Sequence, residues 1–272
     1  MAVDLTTKSP LDFLEDRIAK YLDRANRDLA AGERHPDVFN LRAAEFTELS
    51  KHLPERFGIV ADVGCGNGFM SALWSLVADE VIGVDETEQR LEQHSIGLEH
   101  PQHLIAHLGA TEVSLRQGRI EELPFRDGSL DVVFTCYVLE HVIDLAPALQ
   151  ESSRVLRRGG LQIHIVPDLR DKIAAYRDWI IEQSKPTDFI KALLRPIHNI
   201  ASRNFSRVPY ALAHWLPIFP PPAHDQRKSF FRECWEYRST VWEGNFNRNG
   251  LSVLHKIDMP RKTSTAYILQ CQ

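Results

Sequence analysis

Two hydrophobic rhythms divide this chain. Near its start Leu11, Leu14, Ile18, Leu22, Ala25 and Leu29 recur every three or four positions, behind Ser9 as a cap and Pro10 as a first-turn proline. That spacing predicts an amphipathic helix ending at Gly32. A second helical stretch runs from about Asp37 to Leu53 and stops before Pro54. From residue 58 the period changes: GIVADV, EVIGVD, VSLRQG, LDVVFTCYV and LQIHIVPD are short apolar runs separated by segments long enough for crossover helices. Runs of this kind are parallel strands buried on both faces, so the fold class is α/β, a doubly wound sheet with helices on both sides.

The rhythm breaks between about Leu169 and His224, where Pro186, Pro196, Pro209, Pro217 and Pro220 to Pro222 interrupt any long helix. This stretch reads as a helical insertion. Beyond it, QRKSFFRECWEYRSTVWEGNF keeps helical spacing through Phe231, Trp235, Arg238, Trp242 and Phe246, and GLSVLHKID and STAYILQC end the chain as two strands. The expected organisation is 1–57 as helices packed on the core, 58–168 as the core, 169–224 as the insertion and 225–272 as a last helix and strands of the core.

Composition narrows the class. With 272 residues, 43% apolar and 25% charged, the chain can bury a sizeable core. A net charge of -5 gives no reason to expect nucleic acid as the partner. Cys65, Cys136, Cys234 and Cys271 are far apart and form no CxxC pair, which disfavours a disulfide framework or a structural zinc site. The acidic N-terminal stretch does not read as a signal peptide, and no apolar run approaches the ~20 residues of a spanning helix, so the expected location is cytoplasmic.

The first chemical signal is VADVGCGNGF. Gly64, Gly66 and Gly68 crowd a loop between a strand and a helix, where glycine permits a tight turn and close approach of a ligand to the backbone. The dinucleotide fingerprint GxGxxG would need glycine where Phe69 stands, and a P-loop would need Lys-Ser/Thr; neither is present. Asp85 ends the second strand, where a carboxylate can accept hydrogen bonds from ribose hydroxyls or cap a helix.

Taken together, DVGCGNG, VIGVD, GRIEELPFRDGSLDVVFTCYVLEHV and VLRRGGLQIHIVPD resemble the class I S-adenosylmethionine-dependent methyltransferases, over about residues 58–168 and in the family's order. The likeness is greatest to the branch acting on small molecules, quinones, lipids and sugars. It implies a Rossmann-like sheet, mostly parallel with an antiparallel final strand, and S-adenosylmethionine as cofactor with S-adenosylhomocysteine as product. It also implies that Asp62 and the loop Gly64, Cys65, Gly66, Asn67, Gly68 hold the methionine part, that Asp85 and Glu86 lie at the ribose, and that Cys136 and Tyr137 line the amino-acid end. Where the family often has an aspartate for the adenine amino group this chain has Arg119, followed by Ile120 as an apolar wall.

An activated methyl donor leaves the protein to align the acceptor, exclude water and, for a hydroxyl acceptor, take a proton. His141 in VLEHV and His224 before Asp225 are the candidate bases. His94, His100, His103 and His107 gather before VSLRQG, but HLIAH lacks the glutamate of HExxH, so no metal site is expected. Residues 185–222 mix Lys185, Lys191, Arg195, Arg203 and Arg207 with apolar side chains, which suits a lid over the acceptor or a peripheral membrane contact. KSFFRECWEYRSTVWEGNFNRNGLSV resembles, more faintly, methyltransferases of cell-surface polysaccharide pathways. The acceptor expected is therefore a small molecule or a lipid- or glycan-linked group methylated at oxygen. The alternatives are a cofactor-binding protein without catalysis and an RNA or protein methyltransferase.

Overall fold

The computed structural model describes residues 10–27, 36–86, 101–170, 172–174, 176–177, 230–260 and 264–271. His94, His100, His224 and the basic stretch 185–222 lie outside these residues. The chain divides into two compact units, Met1–Val166 with Asn245–Arg261 and Thr265–Gln272, and Pro167–Gly244 with Lys262–Ser264.

In the larger unit, α1 (Pro10–Arg27) and α2 (Pro36–Ser50) precede β1 (Phe57–Val63), α3 (Phe69–Trp74), β2 (Ala78–Asp85), α4 (Pro101–Leu108), β3 (Val113–Gln117) and β4 (Leu130–Cys136). A single 3-10 turn, Leu139–His141, leads to α5 (Leu145–Val155) and β5 (Leu156–Pro167). After α6 (Phe230–Glu236) and α7 (Ser239–Arg248), β6 (Leu251–Asp258) and β7 (Ser264–Cys271) complete a seven-stranded sheet ordered β3-β2-β1-β4-β5-β7-β6. The first five strands pair in parallel and β6 pairs antiparallel with β7, as expected.

Strand alternation explains the two helical layers. Phe134 on β4 meets Trp74 of α3, with ring centroids 5.2 Å apart, and Trp74 also touches Phe46 of α2 and Phe57 of β1. The next residue, Thr135, points the other way, to His164 on β5, over which Phe246 of α7 stacks at 6.0 Å. Each edge-on aromatic pair around Trp74 contributes about 0.5–1.5 kcal/mol beyond its buried area. The opposite layer is tied by hydrogen bonds: Gln162 Nε2 donates to Leu149 O and Ser153 Oγ of α5, while its Oε1 lies 3.1 Å from His164 Nε2. The chain passes from β1 outward to β2 and β3 and then returns to β4 on the other side of β1. Such a reversal opens a crevice at the carboxyl ends of β1 and β4.

Three boundaries differ from the sequence expectation. Helix α2 ends at Ser50, whose Oγ donates to Thr47 O, and the chain reaches Leu53 through turns. The strand expected from Leu161 starts at Leu156. The single C-terminal helix is two, broken at Tyr237 and Arg238. Residues five apart on one helix point about 140° apart, so Tyr237 and Trp242 could not share a face. The break lets their rings stack at 6.4 Å with both side chains buried, and leaves Phe231 and Trp235 exposed.

The smaller unit also holds a buried ion pair, Lys172 Nζ to Glu233 Oε2 at 2.6 Å, with Nζ 5.0 Å from the Tyr237 ring centre. Trp242 Nε1 donates to Pro167 O at 3.3 Å. Among the described residues no helix is long and apolar enough to cross a membrane.

Candidate functional site

The loop after β1 is built by its glycines. Gly64, Gly66 and Gly68 take φ of 75°, 54° and 77°, a region costly for side chains. Gly64 N and Cys65 N both donate to Val84 O, at 2.7 and 3.1 Å, which ties the loop to the end of β2. A side chain at 64 would place its Cβ 2.4 Å from Val138 Cγ2, and one at 68 would lie 2.9 Å from Ile105 Cδ1 of α4. Asn67 does local work, its Oδ1 accepting from Phe69 N at the start of α3.

Asp85 closes the loop from the second strand. Its Oδ2 accepts from Gly66 N at 3.1 Å and its Oδ1 from Glu86 N at 2.8 Å. The carboxylate thus ties the glycine loop to the end of β2 and accepts from the next backbone amide. Asp62 lies beneath the loop, 1% exposed, with Ser71 Oγ donating to its Oδ2 at 2.6 Å. Burial raises its carboxyl to about 7; the Ser71 hydrogen bond opposes this, nearby Asp85 adds to it, and Arg42 opposes it.

The remaining candidates divide by position. Ile120 is buried, while Arg119 is exposed and lies 3.6 Å from Glu121 and 4.0 Å from Glu86. Gln117 Nε2 donates to Glu86 O at 3.1 Å, so the ends of β2 and β3 are linked at the rim expected for ribose and adenine. Cys65 and Cys136 have thiols pushed well above the ordinary range, chiefly by burial, so both stay neutral. Tyr137, with φ of 58°, is the non-glycine residue with left-handed backbone among those described. It is held from both ends: its N–H donates to Ile165 O at 2.9 Å and its hydroxyl to Glu45 Oε1 at 2.9 Å. Backbone strain of this kind costs about 1–3 kcal/mol and gathers at functional sites. His141 is exposed in the 3-10 turn beyond it. Of the two candidate bases, it is the one within the described residues.

His103 is exposed and His107 half-buried on α4, whose Leu104, Ile105 and Leu108 are buried, so α4 packs against the core rather than lying solvated on the surface. Among the described residues no three His, Cys, Asp or Glu side chains gather to hold a metal.

Sequence reading missed Ser71, Arg42 and Glu45. The α2 pair had no signal of its own: the helix is outside every motif, and a charged residue there reads as solvated surface. The structure buries Glu45 completely and sets Arg42 over the Tyr137 ring, 4.3 Å from its centre.

Comparison with known proteins agrees with this geometry. The family described as "Methyltransferase domain" matches residues 61–163, from β1 into β5. A probable S-adenosylmethionine-dependent methyltransferase of Mycolicibacterium smegmatis is 36% identical over 111 residues, 40% of this chain and 38% of that protein. The ubiquinone/menaquinone biosynthesis C-methyltransferase of Campylobacter jejuni is 27% identical over 203 residues, 72% of this chain and 77% of that protein. The chain spans 38 to 44% of the length of three curated relatives that it matches. Among solved structures, a SAM dependent methyltransferase from Aquifex aeolicus aligns with a TM-score of 0.54 at 14% identity, over 93% of this chain and 97% of that one. A Pyrococcus horikoshii protein aligns with a TM-score of 0.57 at 15% identity, over 89% and 94%. With its ordered motifs, reversed sheet and glycine loop, the span 61–163 matches a methyltransferase domain and is similar to S-adenosylmethionine-dependent methyltransferases.

Proposed function

We propose that the protein transfers a methyl group from S-adenosylmethionine to the oxygen of a small-molecule or lipid- or glycan-linked acceptor. The observation that carries this reading is the join between the left-handed glycine loop and Asp85 at the carboxyl ends of β1 and β2, where ligands of doubly wound sheets bind. The residues fit the cofactor: the loop gives close backbone approach, Asp85 is a carboxylate of the kind ribose hydroxyls donate to, and Ile120 supplies an apolar wall for adenine. When bound, the cofactor supplies an activated methyl on a sulfonium. The chain's own tasks are then to orient the acceptor, exclude water and, for a hydroxyl, receive its proton, for which His141 in the 3-10 turn after β4 is our candidate.

One observation favours a carbon acceptor as the second reading, namely the likeness to a protein named as a quinone-pathway C-methyltransferase. A stabilised carbanion needs less help from a base, so activity of His141→Ala separates the two.

The direct test is methyl-labelled S-adenosylmethionine incubated with the full chain and fractions of small molecules, lipids and glycans. Label should enter one of these with release of S-adenosylhomocysteine, and Asp85→Ala should weaken cofactor binding by about tenfold or more, as loss of charge-assisted hydrogen bonds does. Undiminished binding in Asp85→Ala, or label entering only RNA or protein, would refute the assignment.

A further inference from the structure

Arg42 and Glu45 stand on α2, outside the matched span 61–163, yet they are anchored to its site. Glu45 is fully buried, where a carboxylate is costly unless partnered. It takes two partners: Arg42 Nη1, one turn earlier on α2, donates to its Oε2, and the Tyr137 hydroxyl donates to its Oε1. The Tyr137 ring lies against the guanidinium and fixes its plane.

Packing brings this group to the glycine loop. Phe39, about one helical turn before Arg42, meets Phe69, the residue after Gly68, with ring centroids 4.8 Å apart. On the other flank Arg42 touches Tyr137, directly after β4. Arg42 is only 21% exposed, but among the described residues its one hydrogen bond is that from Nη1; Nε and Nη2 donate to nothing. A mostly buried guanidinium with a fixed plane and unused donors matches the two oxygens of a carboxylate, which planar paired N–H groups bind with both energy and direction.

We propose that Arg42 binds the carboxylate at the amino-acid end of the cofactor, with Glu45 and Tyr137 as positioning residues that hold the guanidinium plane. The assignment rests on the cofactor reading above and adds to it a residue that the domain motifs do not contain. It makes α2 part of the cofactor site rather than a packing helix alone.

Calorimetry on the full chain with three probes tests it. S-adenosylmethioninamine lacks only the carboxylate, and 5′-methylthioadenosine lacks the whole amino-acid end. The wild-type chain should bind S-adenosylmethionine about tenfold or more tightly than S-adenosylmethioninamine. Arg42→Met should abolish that preference while leaving 5′-methylthioadenosine affinity unchanged, which also shows that the variant is folded. Arg42→Lys should restore part of the preference, because a point charge attracts a carboxylate without the paired geometry. Equal wild-type affinity for the first two probes, or equal weakening of S-adenosylmethionine and 5′-methylthioadenosine in Arg42→Met, overturns the assignment while the cofactor reading stands. Failure of the wild-type chain to bind S-adenosylmethionine and 5′-methylthioadenosine alike overturns both.

Discussion

Two buried groups should oppose each other in setting stability between pH 7 and pH 5, and single substitutions should expose each. His164 is fully buried between Thr135 and Gln162, and burial lowers its imidazole to about 3 from an ordinary 6.5. Below pH 6.5 the unfolded chain gains a proton there and the folded one does not, so acidification favours unfolding. With those two values, linkage gives a loss of about 2 kcal/mol between pH 7 and pH 5. Asp62 has the opposite sign. Its folded carboxyl sits at about 7 against 3.8 unfolded, so the folded state takes up the proton first and stability rises by about 2 kcal/mol over the same interval. Urea unfolding of the ligand-free chain, analysed as midpoint and slope at both pH values, provides the measurement. Relative to wild type, Asp62→Asn should lose about 2 kcal/mol on acidification and His164→Asn should gain about as much, because groups common to all three proteins cancel in the differences. Both substitutions keep a polar atom for Ser71 or Thr135. If either variant shows the wild-type pH dependence, the corresponding group is not held in the protonation state that its burial dictates.

Two further outcomes follow from packing. Gly64→Ala should cost about 1–2 kcal/mol for a left-handed alanine and about 1–3 kcal/mol for the overlap with Val138, and adding Val138→Ala should recover only the second part; additive costs in denaturant titrations would contradict this. Lys172→Met should destabilise by about 3–5 kcal/mol by leaving Glu233 buried without its cation, and Lys172→Met with Glu233→Gln should be milder than the single change; thermal or urea unfolding of both would show it.

Much of the cofactor side was legible in the sequence because its determinants are local. The glycines of 64–68 are required by φ values that no side chain adopts cheaply, and Asp85 follows a run that can only be a buried strand. The alternation of apolar runs with helix-length links was enough for a parallel sheet wound on both sides. The C-terminal helix was less legible. Its spacing through Phe231, Trp235, Trp242 and Phe246 suggested one apolar stripe, but stacking Tyr237 on Trp242 required a break that periodicity does not report.

The sequence by itself determined the alternating strands and helices of the core, the glycine loop and the acid that ends the second strand, since each depends on backbone geometry or burial within a few residues. Only the tertiary structure brought Arg42 and Glu45 against Tyr137. Their partners Tyr137 and Asp62 are distant in the chain, and a charge pair on a helix has no local signature that separates a solvated face from one buried against a strained tyrosine.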